Sequence, residues 1–283
     1  MSISPCPNSD NDSTDSDDSS DSDDSVDGLF RCSLHYSEIK DKPYASNVIL
    51  DEELVDMKLL PHLKCLTIWD DNAKSIDFNL LTNLEHLSLN VSCSSIINTK
   101  PLINLRSLIL NCDISIDFTH LIKLEHLEIG KEYVQNPDLS SLVNLRTLKL
   151  NTDLPIDFTQ LTSITKLTLF VWFSFEYYDD ERIDFTLLPN LTTLVLYIDE
   201  YDHIDFNEIK NLEHLEFSGF SSRLIDFTLV PNLKYLELGA FCNKIYDLSM
   251  LHKLEKLVDY RSIKYGNRPP IKYSPHCSIK SSK

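Results

Sequence analysis

The chain has 283 residues, a formal net charge of -18 and a hydrophobic content of 42%. This length suits one large domain or two small ones. The acidic balance argues against a nucleic-acid or anionic-membrane ligand, because phosphate binding needs a basic patch. No apolar run reaches the roughly 18 residues that cross a membrane, and the polar first residues do not resemble a signal peptide. We therefore expect a soluble protein of the cytoplasm.

The cysteines also favour an intracellular protein. There are seven of them, an odd number, and no Cys-x-x-Cys pair occurs. This pattern predicts reduced, partly buried thiols rather than a disulfide framework.

The first 28 residues form an acidic tail that carries nine Asp and no Lys, Arg or Glu. A segment of Ser, Asp and Asn cannot bury apolar surface, so residues 1–28 are predicted to be disordered. The tail is either a solubilising segment or a kinase substrate, since Ser9, Thr14 and Ser20 each precede an Asp by three residues. Residues 29–54 are irregular but partly apolar, and we interpret them as an N-terminal cap over the first repeat.

A block of the form Ile-Asp-Phe-x-x-Leu-x-x-Leu-x-x-Leu-x-Leu recurs over residues 55–260. We call the second Leu of Leu-x-x-Leu-x-x-Leu-x-Leu the anchor of each repeat. Repetition near every 20 residues predicts a solenoid. Ten anchors, 19 to 27 residues apart, lie at Leu63, Leu84, Leu105, Leu124, Leu145, Ile164, Leu191, Leu212, Leu233 and Leu254.

Each repeat has room for one strand and one short helical segment. Leu87 and Leu89 alternate with polar residues, as in a strand with one buried face. Leu81 and Leu84 are three residues apart, as on one face of a 3₁₀ turn. The fold class is therefore an α/β repeat solenoid, with parallel strands on the concave face and short helical or 3₁₀ turns on the convex face.

An Asp recurs at one position of the repeat, as in Asp77, Asp117 and Asp157, and Asn98 replaces it once. A column of carboxylates could bind metal, or each could cap the helical turn that follows it. Capping is favoured, because Asn is a good cap but a poor substitute in an anionic site. No Gly-rich calcium loop accompanies the column.

The residue after each anchor alternates in charge, as in Glu85, Arg106, Glu125 and Arg146. Neighbouring repeats in a parallel stack would bring opposite charges together. Such exposed pairs contribute little stability and help mainly to set the register.

The last repeat and the residues after it are atypical. Asp259 replaces the final strand Leu, which fits a C-terminal cap. Residues 261–283 contain six bases and no acid, and Pro269-Pro270 interrupts regular structure. We predict a flexible basic tail there.

With this pattern the chain resembles the leucine-rich repeat family, most of all its short intracellular class, which includes phosphatase-regulating members. The resemblance implies a horseshoe-shaped, protein-binding solenoid. The family usually has Asn or Cys eight residues after the anchor, and here that position holds Asp, Ser, Glu, Trp or Phe. Low Gly and Ala contents resemble those of proteins from AT-rich genomes, such as amoebae or their giant viruses.

No catalytic motif, cofactor-binding loop or metal-ligand spacing is present in the sequence. We therefore expect a protein that is not an enzyme and needs no cofactor. Histidines at one outward strand position, among them His86 and His126, are expected to be ordinary exposed residues. The outward strand residues mix charge, polarity and isolated apolar groups, which suits protein recognition.

The longest interval between anchors contains an aromatic loop, residues 170–182, which either projects from the rim or packs inward. Aromatic residues beside acids are typical of interface hot spots. Trp172, Phe220 and Phe241 are the aromatics most expected to be buried. The candidate partner-binding residues on this rim and on the concave face are Phe170, Phe173, Phe175, Tyr177, Tyr178, Tyr197, Tyr201, His214, Glu216, Tyr235 and Glu237.

The leading hypothesis is a monomeric, non-enzymatic scaffold that binds a protein partner through the concave face and the rim of repeats five to nine. A basic partner is favoured by the acidic surface. The alternatives are a substrate-recognition adaptor of a ubiquitin-ligase-type complex and a phosphatase-regulating subunit. The adaptor would need a recruitment module, and residues 29–54 are short for one.

Overall fold

The computed structural model describes sixteen parts of the chain, and all structural statements below refer to them. They are residues 34–35, 47–50, 62–69, 76–90, 98–111, 116–130, 137–152, 156–171, 183–200, 206, 209–220, 226–239, 242, 247–260, 272–273 and 276–281. The predicted acidic tail and most of the aromatic loop lie outside these residues.

Strands dominate the described residues, as the sequence predicts. They are β1 Leu34–His35, β2 Asn47–Leu50, β3 Cys65–Trp69, β4 His86–Asn90, β5 Ser107–Leu110, β6 His126–Ile129, β7 Thr147–Thr152, β8 Lys166–Val171, β9 Thr193–Glu200, β10 His214–Phe220, β11 Tyr235–Leu238, β12 Asp247–Leu248, β13 Lys256–Asp259, β14 Lys272–Tyr273 and β15 Ser278–Ser281.

One parallel sheet carries the fold. Within the described parts it has 13 strands in the order β1 to β11, then β13 and β15, while β12 and β14 pair separately. Strands follow one another in space as they do in sequence, which is the order of a solenoid. The expected parallel-strand repeat solenoid is therefore confirmed.

The core consists of stacked columns of leucines. Leu87 pairs in register with Leu108, and Leu108 with Leu127, and all three are at most 1% exposed. A fully buried Leu contributes about 1.5–3 kcal/mol relative to an exposed one. The aromatic residue of the repeated block also joins the core, at Phe78, Phe118 and the equivalent positions Phe158, Phe185, Phe206 and Phe227.

The repeated Asp is a cap, as predicted. Asp77 and Asp184 precede the 3₁₀ helices Phe78–Leu80 and Phe185–Leu187, and Asp226 precedes a third, Phe227–Leu229. In each case the carboxylate accepts the backbone N–H two residues later. Asn98 makes the same bond to the backbone N–H of Lys100, at 3.2 Å. An amide thus replaces the carboxylate without loss of the cap.

An asparagine ladder runs along the edge where the strands begin, at the residue before the anchor. The side-chain amide of Asn104 donates to the backbone carbonyl of Thr82 in the preceding repeat, at 2.9 Å. Where Lys occupies the position, its ammonium group donates to the neighbouring Asn instead, as Lys123 does to Asn104 at 2.8 Å. The same amide-to-carbonyl bond is made by Asn144, Asn190, Asn211 and Asn232.

The alternating charges after the anchors do pair between repeats. Lys64 lies 2.7 Å from Glu85, and Lys234 lies 2.8 Å from Glu213. Arg106 contacts Glu125 in the same way. The pairs are largely exposed, so each contributes little to stability, and their main effect is on register.

Strands also occur at both ends of the repeat array. The expected N-terminal cap contributes β1 and β2, and β2 pairs with β3 so that Val48, which is fully buried, aligns with Leu66. At the other end, β15 pairs with β13 and β14 with β12. Residues 272–273 and 278–281 therefore form strands within the stretch where the sequence indicates a flexible tail.

Three cysteines in the described residues carry free thiols, of which those of Cys65 and Cys242 are buried and that of Cys277 is half-buried. None of the helices described is long and apolar enough to cross a membrane.

Candidate functional site

The concave face presents every second residue of each strand. We number strand positions so that position one is the second residue after the anchor, for example His86 after Leu84. In β4, positions one, three and five are half-buried while Leu87 and Leu89 are buried. In β4 the predicted inward and outward assignments therefore hold. Position five extends the concave face by one further row.

Some outward positions are nevertheless buried because their side chains are small. Ser107 is 1% exposed and stands in register between His86 and His126. The histidines in turn are half-buried rather than exposed, which corrects the sequence expectation. Burial lowers the pKa of both His86 and His126.

Two aromatic residues assigned to loops lie in strands. Phe170 is in β8 and Tyr197 in β9, both at position five, and they are register partners. Their rings stack with centroids 4.7 Å apart and planes 2° from parallel. The strands run longer here than the minimal repeat requires, because pairing continues past the last core Leu. The two rings therefore belong to the concave face, and each is half-buried.

A second stack occupies position one of the next three strands. His214 stacks on Tyr235 with centroids 4.1 Å apart and planes 4° from parallel. The ammonium group of Lys256 lies 5.1 Å from the centre of the Tyr235 ring. A cation over a tyrosine face is attracted by the ring quadrupole. The surface thus already holds one basic side chain against an aromatic ring.

Two glutamates lie at position three beside this stack. Glu216 and Glu237 are register partners on β10 and β11. Glu216 lies 2.7 Å from the Nε2 atom of His214, and Glu237 accepts a hydrogen bond of 2.8 Å from the hydroxyl of Tyr235. Each side chain therefore has one internal partner and further acceptor capacity.

The environment of these carboxylates is partly desolvated. Burial raises the pKa of Glu237, and the nearby charge of Glu216 raises it further, against the lowering effect of the Tyr235 hydroxyl. Burial and the hydrogen bond to Glu237 raise the pKa of Tyr235. Burial also raises the pKa of Tyr197, with added repulsion from both glutamates. A cation placed here would relieve the repulsion between the two acids.

The structure thus brings six of the predicted residues together on strands β8 to β11: Phe170, Tyr197, His214, Glu216, Tyr235 and Glu237. The other five, Phe173, Phe175, Tyr177, Tyr178 and Tyr201, lie outside the described residues. So do Trp172 and Phe241, and of Phe220 only the backbone is described, as the last residue of β10.

Three residues of this face were missed by the sequence reasoning: Ser218, Gly239 and Tyr260. Each lies six residues after its anchor, as Phe170 and Tyr197 do. Aligning position five of all repeats would have found them. The minimal repeat ends its strand at the second inward Leu, so it indicates only positions one and three as outward positions of the concave face.

A cavity of about 460 Å³ lies elsewhere, at the edge where β3 to β6 begin. Its polar side chains are already engaged. Lys64 pairs with Glu85, Arg106 with Glu125, and Lys123 with Asn104. This groove is therefore a region of inter-repeat bonding rather than an open ligand site.

The described residues contain no group of three or more His, Cys, Asp or Glu side chains that could hold a metal ion. The Asp column is used by backbone caps instead. For example, the carboxylate of Asp117 accepts the N–H of Thr119 at 3.0 Å and its hydroxyl at 2.6 Å. These bonds lower the pKa of Asp117.

The sequence matches no protein-family model, and no curated protein matches it either. Solved structures do match over most of the chain. The functional domain of InlJ from Listeria monocytogenes, which includes a cysteine ladder, is 18% identical with a TM-score of 0.55, over 80% of this chain and 51% of that one. The internalin InlF from Listeria monocytogenes is 21% identical with a TM-score of 0.53, over 81% and 69% of the two chains.

A third match is TLR13 in its complex with ssRNA13, 23% identical with a TM-score of 0.52, over 76% of this chain and 36% of that one. The chain thus spans about half of the InlJ domain and about a third of TLR13. These neighbours are leucine-rich repeat proteins. At such identities the likeness establishes the fold alone, and it agrees with the parallel-strand solenoid described above.

Proposed function

We propose that this leucine-rich repeat solenoid is a non-enzymatic scaffold that binds an extended basic segment of a protein partner. The contact surface is the concave face of β8 to β11 and β13. The neighbouring folds support a binding role in general, since one of them, TLR13, was solved in complex with ssRNA13.

The observation that carries the proposal is the arrangement of aromatic and acidic side chains on this face. Two half-buried carboxylates, Glu216 and Glu237, lie between the His214–Tyr235 stack and the row that contains Tyr197. Rigid aromatic rings supply contact area at little cost in side-chain entropy, and interface hot spots are enriched in Tyr. The paired acids select a positively charged partner and disfavour RNA or DNA.

The aromatic loop belongs to the same proposal. In the sequence it overlaps the end of β8, which contains Phe170, and its other aromatic residues follow within a few positions. Phe173, Phe175, Tyr177 and Tyr178 would enlarge the contact surface, and so would Tyr201, which follows β9 in the sequence. An intracellular monomer is part of the proposal, and the free thiols of the described cysteines support a reducing environment.

The adaptor and phosphatase-regulating alternatives stay predictions from the sequence. Among the described residues, no observation favours either one. Of residues 29–54, the described parts are β1 and β2, which continue the repeat sheet.

Selection of a random-peptide library on the full chain tests the proposal. We expect enriched peptides to be rich in Lys and Arg and to lose binding on a Tyr235→Ala variant. A matched Thr147→Ala variant, altered at the same strand position on β7, should bind them as the unmodified chain does. Enrichment of peptides that bind all three chains equally would overturn the proposed face.

A further inference from the structure

A hollow interrupts row five of the concave face between two tyrosines. Tyr197 pairs in register with Ser218. The sheet continues through Gly239, whose N–H donates to Phe217 at 2.8 Å, and Tyr260, whose N–H donates to Leu238 at 2.8 Å. Row five therefore reads Tyr197, Ser218, Gly239, Tyr260 on consecutive strands. The two middle residues are small and the two outer ones are large.

The hollow is wide enough for a partner's side chain. Parallel strands lie about 4.8 Å apart, so the two tyrosine backbones are separated by about 14 Å. A residue with a side chain does not fit at position 239, near the centre of the hollow. A Cβ atom added to Gly239 would lie 2.3 Å from the Oγ atom of Ser218 and 2.4 Å from its Cβ atom. Only glycine fits beside Ser218, because the Ser218 side chain already occupies the place that a Cβ atom of residue 239 would take. Row five therefore stays low between the two tyrosines, with one small side chain and one glycine.

The long wall of the hollow is acidic. Glu216 and Glu237 precede Ser218 and Gly239 by two residues on the same strands, so they point from the same face of the sheet. Their charges reach the Tyr197 end of the hollow, since each raises the pKa of Tyr197. At the open end, Tyr260 is 43% exposed. An anionic group would be repelled here, and an apolar group would desolvate the carboxylates without pairing them.

We propose that this hollow, which we call the Tyr197–Tyr260 seat, binds one arginine or lysine side chain of the partner's basic segment. The cationic head would pair with Glu216 and Glu237, and its flat or aliphatic part would lie against the tyrosine rings. Arginine suits the seat best, because a guanidinium group stacks on aromatic rings and forms forked bonds with carboxylates. The inference rests on the proposed function, and it adds the chemistry of the residue that is recognised.

The probe is a fluorescein-labelled peptide of alternating arginine and alanine. Its matched control carries citrulline, a neutral isostere, in place of each arginine. Binding to the full chain is measured by fluorescence anisotropy at about 0.15 M salt, where long-range attraction to the acidic tail is screened. We expect saturable binding of the arginine peptide at one site and none of the citrulline peptide.

Three variants then test the seat itself. Glu216→Gln with Glu237→Gln removes the charge, Tyr260→Ala removes a wall, and Ser218→Phe fills the space without changing any charge. Each should weaken binding by at least about tenfold, the effect of losing one hot-spot contact. Since Tyr260 is partly exposed, its variant should keep the unfolding midpoint of the parent even if the filled variant does not fold.

Matched changes elsewhere on the concave face provide the controls: Glu128→Gln at position three of β6, Trp69→Ala at position five of β3 and Asn90→Phe at position five of β4. We expect each control to alter binding by less than about twofold, within ordinary surface effects. Equal losses in Glu128→Gln and in the double glutamine variant would show diffuse attraction and overturn the seat. So would full binding by a correctly folded Tyr260→Ala chain.

The seat and the scaffold proposal fail in different ways. Library peptides that need Tyr235 but carry no basic residue, and that tolerate Tyr260→Ala, would refute the seat and leave the protein-binding face intact. Library peptides that bind independently of Tyr235 would refute the face, whatever the arginine peptide does.

Discussion

Asn104 donates its side-chain amide to the backbone carbonyl of Thr82 one repeat earlier, at 2.9 Å, while its own carbonyl oxygen accepts the ammonium group of Lys123 from the next repeat, at 2.8 Å. One side chain thus joins three consecutive repeats. A solenoid's stability depends strongly on the contacts between neighbouring repeats. Hydrogen bonds of this kind strengthen those contacts directly.

Removal of the ladder bond should destabilise the fold by a measurable amount. We expect Asn104→Ala to lower the free energy of unfolding by about 1 kcal/mol, the net worth of a typical hydrogen bond. Asn211→Ala should cost less, since its bond to Pro189 is longer, at 3.2 Å. Urea denaturation checks both. Equal stability of Asn104→Ala and the parent chain would show that the ladder contributes nothing.

The Asp column can be tested as a set of caps at one representative position. Asp226→Ala removes the acceptor for the Thr228 backbone N–H, a bond of 3.0 Å, and should cost about 1 kcal/mol. Asp226→Asn keeps an acceptor and should lower the stability by only about 0.3 kcal/mol, because Asn is as good a cap as Asp. Thermal unfolding distinguishes the two. If both variants lose the same stability, the charge rather than the cap is what matters.

Half-buried histidines should make the fold less stable at mildly acidic pH. Burial holds the pKa of His126 below its ordinary 6.5, and nearby Arg146 and Lys166 act in the same direction while Glu125 opposes them. The unfolded chain therefore takes up a proton first as pH falls below 6.5, and stability falls with it. No such loss arises above 6.5, where the ring is neutral in both states.

The corresponding measurement compares urea denaturation at pH 7.5 and pH 5.5. We expect His126→Gln to lose less stability between these values than the parent chain does. His120→Gln, altered at an exposed position, should behave as the parent. An identical loss of stability in all three chains would show that protonation of His126 does not contribute to it.

The contact between Gly239 and Ser218 predicts a reciprocal pair of substitutions. Gly239→Ala should cost about 1–3 kcal/mol, the usual penalty of overpacking, because its Cβ atom would meet the Ser218 side chain. Adding Ser218→Gly removes the obstacle and should restore most of that stability. A double-mutant cycle measures the coupling. Additive effects would mean that the two positions do not crowd each other.

Much of the fold follows from the sequence because burial repeats with the chain. The alternation of Leu87 and Leu89 with polar residues gives the strand and its inward face, and the Asp77 and Asn98 column gives the caps. The alternating charges of Glu85, Arg106 and Glu125 predict ion pairs between repeats, because parallel stacking places equivalent positions of neighbouring repeats side by side.

The asparagine ladder and row five of the concave face do not follow from the repeat pattern. The family resemblance predicts a ladder eight residues after the anchor, whereas Asn104 and Asn144 lie one residue before it. The sequence pattern places position five in the loops, because the last core Leu stands at position four. In β8 and β9 the pairing nevertheless continues beyond that Leu. The exposure of a side chain such as Tyr260 depends on its neighbours across three strands, and a repeat pattern does not encode them directly.

The most direct test of the account locates a bound basic peptide on the surface. The arginine–alanine peptide, with a benzophenone amino acid at its centre, is photo-crosslinked to the full chain, and the attachment sites are found by mass spectrometry. We predict attachment to segments Thr193–Glu200, His214–Phe220, Tyr235–Leu238 and Lys256–Asp259. Attachment confined to residues 1–28, or concentrated on β3 to β6, would contradict it.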